Sequence, residues 1–471
     1  MAYSHYDRLS ALDATFLDLE DENVHMHVGA VAIFEAKPLA TDEGGLDMAR
    51  IRKMAGPALA RSQRFRQRLE HIPLLGHPVW VDDARFNLDY HLRHTALPAP
   101  GDERQLKRLV GRLLSQKLDL HKPLWEMWFV EGLLGDRFAV LTKAHHCMID
   151  GISGVDLMAA LIQAHPAQGE PDGSEPGERW LPRPAPGAAR LLLDELRRRT
   201  TLPFELLGAS RRAFSDPRRA LEGAVGSIEG AAELIGSGLA PASMTPLNHP
   251  IGPHRRFDWM RTDLAAVKEV RSRLGGTVND VVLATVAGAM RRFLAARGVV
   301  VDQLDFRAQV PVNIRAESQR GRLGNRVATL LARLPVHEAD PRRRYAVVVE
   351  TTKRLKDSSQ VHGSELLEQL GDWTAKELLA AVVRSTSEEL SFNMTVTNVP
   401  GPQFTAYLLG ARMLAVYPVV PLFARQGAGI ALFSYDGALS WGFNADWDAV
   451  PDLHDLVRAV EEEFRTLGGL S

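Results

Sequence analysis

The chain of 471 residues contains a single cysteine, Cys147. No disulfide can form within it, which fits a reducing compartment. Long apolar runs are missing too: nowhere do about 18 apolar residues follow one another, the usual minimum for a membrane span. The start, Met1 to Arg8, lacks the cationic residues followed by an apolar stretch that mark a signal peptide. Nor is there an excess of charge of either sign. With 56 lysines and arginines against 58 acids the formal net charge is -2, so the concentrated basic surface needed to bind nucleic acid is not expected. No repeat of solenoid period is visible. The expectation is a cytoplasmic protein that lies on a membrane at most, without crossing it.

What is present is an ordinary folded composition, 45% hydrophobic and 24% charged, on a chain longer than one core usually serves. Three stretches are expected: a folded region over 1–165, a linker and crossover over 166–250, and a second folded region over 251–471. His25 to Glu35 is dense in valine and isoleucine and predicts a strand buried on both faces, and Arg137 to His145 predicts another. Ser153 to Asp156 resembles a helix start, with Val155, Met158, Leu161 and Ile162 following at helical spacing. Six prolines and four glycines fall between Pro166 and Gly187, the composition of a loop. Beyond it, Leu192, Leu196, Leu202, Leu206 and Leu207 stand beside arginine clusters such as Arg197-Arg198-Arg199. Two readings fit that stretch, a solvated crossover helix and a basic amphipathic helix that meets anionic lipid. Farther on, Thr277 to Arg297 predicts a long helix capped by Thr277. Strands are predicted over Phe306 to Val312, Arg326 to Pro335, Phe392 to Val399, Ile430 to Tyr435 and Leu439 to Asn444. Strands and helices mixed in both halves indicate an α/β or α+β fold.

The segment with the most chemistry is His145-His146-Cys147-Met148-Ile149-Asp150-Gly151, set between a strand end and a helix start. Adjacent residues of a strand point to opposite faces. If the strand continues, the two histidines cannot both bind one metal, and further ligands are not evident, so no metal site is expected. By the same alternation Cys147 points away from His146, and a lone cysteine is more often a small buried apolar residue than a nucleophile. A single histidine acting as proton acceptor remains, with an ordinary pKa near about 6.5 suited to neutral pH. Two unremarkable histidines at a strand end would give the same pattern. Asp150, beside Gly151, is better placed to fix a turn than to act as a triad acid. His25, His27, His121 and His362 have no motif around them and receive no function.

His-His, three residues, Asp-Gly resembles the signature shared by condensation domains and related CoA-dependent acyltransferases. Further segments resemble one branch, the bacterial wax ester synthase/diacylglycerol acyltransferases. These are Leu9 to Phe16, Pro123-Leu124-Trp125-Glu126, Asn279-Asp280, Pro311 to Arg315 with Gly324-Asn325-Arg326, and Asn398-Val399-Pro400-Gly401-Pro402. They follow the family's order from residue 9 to about 448.

The resemblance implies two chloramphenicol-acetyltransferase-like subdomains with an active-site channel between them. It implies His146 as general base beside His145, and Asn279 as a candidate oxyanion donor, for which a helix cap is the plain alternative. Asp150, Gly151 and Asp280 would support the site structurally. Pro123, Leu124 and Trp125 would shape a substrate channel or simply pack. Asn398, Pro400 and Gly401 would form a turn at or near the CoA channel. The implied partners are long-chain acyl-CoA as co-substrate, with no cofactor, a diacylglycerol or fatty alcohol as acceptor, and a membrane or lipid-droplet surface. Competing readings are a condensation-type or glycolipid acyltransferase with another acyl donor, and a catalytically silent protein of lipid inclusions.

Overall fold

The computed structural model describes residues 6–148, 156–166, 180–198, 200, 241–313, 327–357 and 391–470. In the first half the strands are β1 (Asp7–Arg8), β2 (His27–Glu35), β3 (Gln67–His71), β4 (Pro78–Asp82), β5 (Leu92–Ala96), β6 (Trp125–Leu133) and β7 (Arg137–His145). The second half adds β8 (Arg255–Asp263), β9 (Phe306–Asn313), β10 (Val327–Leu334) and β11 (Met394–Pro400). After them come β12 (Tyr407–Leu408), β13 (Ala411–Val419), β14 (Ala428–Tyr435) and β15 (Ala438–Asp446). Two six-stranded sheets dominate, in the orders β12-β13-β2-β7-β6-β5 and β10-β9-β11-β14-β15-β8, and β1-β4-β3 form a smaller one.

The first sheet is therefore completed by β12 and β13 from the second half, with β13 antiparallel to β2. The expected stretches 1–165 and 251–471 follow chain order, but in space the second lends two strands to the first. Where β13 crosses the second sheet, a Cβ on Gly442 would run into the carbonyl of Pro418. Only glycine allows the strands to approach that closely.

β7 lies at the centre of the first sheet and is buried throughout after Arg137, which is why its sequence runs apolar without alternation. Its one buried cation, Lys143, donates to the carbonyls of Leu113 (3.1 Å) and Gln116 (2.9 Å). These lie at the end of the helix Glu103–Leu114, where carbonyls lack partners within the helix. In chain order the main helices are α1 (Ala11–Leu19), α2 (Met48–Ala60), α3 (Glu103–Leu114) and α4 (188–198). They continue with α5 (Leu264–Leu274), α6 (Val278–Ala296), α7 (Pro341–Asp357) and α8 (Leu453–Gly468). Residues Asp280 to Met290 of α6 are all buried, as befits a helix apolar all round at the centre of the second core.

One expectation needs correction. The Asn398-to-Pro402 segment does not turn at once: β11 continues to Pro400, paired in parallel with β14 through Ser434. β9 pairs with β11 only at Met394 and Thr395, so among the described residues Pro400 has no strand on that side and its missing N–H is tolerated. In the crossover stretch, α4 docks by Leu191 and Glu195, and Leu196 of the expected apolar stripe is left exposed. Leu191 packs on Ile72, Val79 and Val81, and buried Glu195 pairs with Arg8 and, at 3.2 Å, Arg198. Leu193 and Leu196 remain 55% and 49% exposed. The predicted helix start at Ser153 lies outside the described residues; a single helical turn is seen at Asp156–Ala159.

Candidate active site

The strand end that carries the two histidines is fixed from both sides by backbone. On β2, His27 stands opposite His145. The His145 N–H donates to the Leu124 carbonyl (2.9 Å), whereas the His146 N–H donates to the Met26 carbonyl (2.7 Å). Consecutive amides are thus tied to different neighbours. The chain leaves the sheet there and enters a 3-10 turn over His146–Met148. The strand therefore stops one residue earlier than simple continuation would have it, and the separation of the two imidazoles comes from this turn.

His145 is fully buried. Its Nδ1 accepts from the Cys147 N–H (3.2 Å), so in the neutral ring the proton sits on Nε2. That nitrogen faces Glu20 Oε1 at 3.8 Å, and His27 Nε2 lies 3.7 Å from the same oxygen. Lys117 Nζ is 3.8 Å from the other carboxylate oxygen. The His25 ring stands 5.5 Å from that of His27, which stands 6.4 Å from that of His145. Burial dominates the acid-base behaviour of this cluster. It lowers His145 to about 3 and His25 to about 4, takes His27 well below its ordinary value, and raises the Glu20 carboxyl.

His146 is half-buried and stacks on Phe16 of α1, with ring centroids 3.9 Å apart and planes inclined by 28°. Nδ1 is enclosed with no partner from another described residue. Burial lowers this imidazole to about 4, so it is neutral at physiological pH and able to accept a proton. Cys147 is 4% exposed, and burial pushes its thiol well up, the opposite of an activated thiolate. Among the described residues no three histidine, cysteine or acidic side chains are grouped to hold a metal ion.

The other residues singled out in the sequence fall into three groups. Pro123, Leu124 and Trp125 are buried beside the motif. Leu124 supplies the carbonyl that holds His145, while the Trp125 indole donates to the Phe65 carbonyl (2.8 Å) and stacks on His91 at 4.5 Å. Asn279 and Asp280 open α6. The cap there is Thr277, whose hydroxyl accepts from the Asp280 N–H, while the Asp280 carboxylate accepts from the Thr277 N–H (2.7 Å). Asp280 also accepts from the Thr352 hydroxyl (2.6 Å). Asn279 is not the cap: it is half-buried, and its amide has no partner among the described residues. No hydrogen bond joins it to His146. Asn398 and Pro400 end β11, and Gly401 donates to the Ser434 hydroxyl (3.1 Å). Asp150, Gly151 and His362 lie outside the described residues, and His121 is on an exposed turn. Glu20 escaped the sequence reading, which noted Phe16 only as the end of a family-like segment and gave His25 and His27 no function. The His-Met-His pattern at 25–27 was the available signal, because a polar residue within an otherwise apolar strand needs a reason.

The fold belongs to the condensation-domain class. The first condensation domain of the calcium-dependent antibiotic synthetase is similar at a TM-score of 0.60, covering 99% of this chain and 96% of that one, with 18% identity, a likeness of fold alone. A wax ester synthase/diacylglycerol acyltransferase from Marinobacter aquaeolei VT8 is similar at a TM-score of 0.66 and 26% identity, covering 98% of this chain and all of that one. Residues 9–282 match the wax ester synthase/diacylglycerol acyltransferase catalytic domain, and 323–468 match that family's C-terminal domain. A Mycobacterium tuberculosis protein described as a probable diacylglycerol O-acyltransferase is 33% identical over 478 residues, covering 99% of this chain and 96% of the relative. The chain belongs to the wax ester synthase/diacylglycerol acyltransferase family.

Proposed function

We propose that this chain moves a long-chain acyl group from acyl-CoA to the hydroxyl of a diacylglycerol, and to that of a fatty alcohol, with His146 as general base. Membership of the family makes acyl transfer to a lipid hydroxyl its activity. The observation that carries the catalytic reading is a neutral imidazole at a strand end, with its backbone N–H held by the Met26 carbonyl and its ring stacked on Phe16.

In this scheme Nε2 of His146 takes the proton of the acceptor hydroxyl as its oxygen attacks the thioester carbonyl. The tetrahedral intermediate collapses, the carbon–sulfur bond breaks, and the departing CoA thiolate recovers the proton from the imidazolium. Positioned proton transfer of this kind contributes roughly 10²–10⁴-fold. Negative charge on the intermediate needs a donor, and Asn279, near the start of α6 and with its amide unpartnered among the described residues, is the residue assigned to it. Acyl-CoA is the co-substrate and no cofactor enters the scheme.

The acceptors are nearly insoluble in water, so the enzyme is expected to work at a lipid surface. No helix among the described residues is long and apolar enough to cross a membrane. The exposed side of α4, with Leu193, Leu196 and Arg197, suits peripheral contact. The test is to supply purified protein with oleoyl-CoA and either dioleoylglycerol or hexadecanol, and to measure thiol release and the lipid product. Trioleoylglycerol or hexadecyl oleate formed in step with CoA is the expected result. CoA release without an ester, or none with either acceptor, would contradict the proposal.

A further inference from the structure

Apart from the histidine site, the described residues enclose a cleft of about 550 Å³ at the seam of the two halves, between α3, β8 and the start of α8. Five cationic side chains line it, Arg104, Lys107, Arg108, Arg255 and Arg256, against one carboxylate, Asp258. On a chain with net charge -2 this is a local concentration of positive charge.

The cations are not equivalent. Asp258 already holds Lys107 and, at 3.0 Å, His454. Arg255 is buried and committed to the carbonyls of Gly252 (2.6 Å), His254 (3.0 Å) and Asn23. Arg104 and Arg108 are exposed and have no ion pair or hydrogen bond among the described residues. They stand one turn apart on the same face of α3, and like charges at that spacing weaken a helix. Two unpaired guanidiniums in a cleft suit phosphate oxygens, which they bind through paired N–H groups.

On the opposite wall Trp447 is 45% exposed, with the Arg256 guanidinium 3.6 Å from its ring centroid and bonded to its carbonyl. A partly exposed indole beside phosphate-binding arginines is a surface on which a nucleobase stacks. The cleft and the histidine site share one stretch of backbone, residues 23–26. Arg255 in its floor holds the Asn23 carbonyl, and three residues later the Met26 carbonyl holds His146.

We propose that this cleft binds the phosphorylated adenosine end of the acyl-CoA donor, with Arg104 and Arg108 on its phosphates and Trp447 against the base. The proposal rests on the acyl-CoA reading above and adds where the donor's charged end is held. The pantetheine arm would then run along the seam toward His146. A lipid headgroup could offer the same phosphate chemistry, and the test separates the two sources.

Binding of adenosine 3′,5′-bisphosphate and of CoA to the full-length protein is measured by calorimetry, for wild type, the double variant Arg104→Ala/Arg108→Ala, and Trp447→Leu. Initial rates are compared for oleoyl-CoA and the oleoyl thioester of N-acetylcysteamine, which lacks the nucleotide. Wild type is expected to bind the bisphosphate. The double variant should raise KM for oleoyl-CoA at least tenfold while kcat stays within a factor of about two, and should lose most of the preference for oleoyl-CoA over the short thioester. Trp447→Leu should weaken the bisphosphate more than inorganic phosphate. No binding of the bisphosphate by wild type, or an unchanged KM in the double variant, would overturn the proposal. So would loss of flotation with phosphatidic acid vesicles at unchanged KM, since that assigns the cleft to a headgroup. If wild type transfers no acyl group at all, the acyltransferase reading fails, and calorimetry still decides the cleft.

Discussion

Among the described residues, five histidines with lowered pKa lie in the core or at the site, and all five are neutral near pH 7. Four of them, His25, His27, His91 and His145, are fully enclosed. Burial takes His25 and His91 to about 4 and His145 to about 3. Between these values and the ordinary 6.5, the unfolded chain binds protons that the folded chain does not, so stability rises with pH across that window. Each such group contributes about 1.4 kcal/mol per pH unit. Glu20, whose carboxyl burial raises, works in the opposite direction but is a single group. The thermal midpoint is therefore expected to fall markedly from pH 7 to pH 5 by scanning calorimetry; a flat profile would contradict burial of the neutral rings. Asn279→Ala is expected to lower kcat by roughly 100-fold, the scale of a lost oxyanion donor, with KM for acyl-CoA little changed. Initial rates check it, and an unchanged kcat would return the amide to a structural role. At this scale the sequence made His145 and His146 legible because they are adjacent. Glu20 and Phe16 reach the site only through folding, from helix α1 and its end, and no local pattern marks such contacts.

Among the elements, those with apolar runs were the ones the sequence disclosed. β7 begins and ends where its pattern does, at Arg137 and His145, because a strand central to its sheet is apolar on both faces. β8 was missed: Arg255, Arg256, Asp258, Arg261 and Asp263 interrupt it, and several of these serve the seam between the halves rather than a core. β13 carries Pro418, which lowers any local strand preference, and only its pairing with β2 accounts for it. Helix α6 shows agreement between local and tertiary signals, since its capping box is readable and Asp280 also reaches Thr352 of α7. Asp280→Ala removes the side-chain half of the capping box and that interhelical bond together. It is expected to cost about 2.5–4 kcal/mol, about 1 kcal/mol from the capping box plus about 1.5–3 kcal/mol from a buried hydrogen bond to a charged group. Urea unfolding measures this, and a loss below about 0.5 kcal/mol would show that the first turn of α6 holds without the Asp280 carboxylate.

For the whole molecule, the layered α/β architecture followed from alternating strands and helices, but the exchange of β12 and β13 into the first sheet did not. Pairing between strands nearly 400 residues apart leaves no trace in a local pattern. It makes the two halves interdependent, so neither is expected to fold as the intact unit does. The same scale holds the expectation of lipid contact. Leu193→Glu, Leu196→Glu and Arg197→Glu combined should reduce flotation with anionic vesicles at least tenfold, since burying one leucine contributes about 1.5–3 kcal/mol and each basic residue near an anionic surface about 1 kcal/mol. Equal flotation of variant and wild type would remove α4 as the contact. The central claim is that His146 takes the acceptor's proton in acyl transfer. The most direct measurement is the initial rate of CoA release from oleoyl-CoA with dioleoylglycerol, for wild type and His146→Ala, with thermal unfolding of both recorded at the same pH. A fall of roughly 10²-fold or more at an unchanged thermal midpoint is the predicted result, and a variant within about threefold of wild type would contradict it.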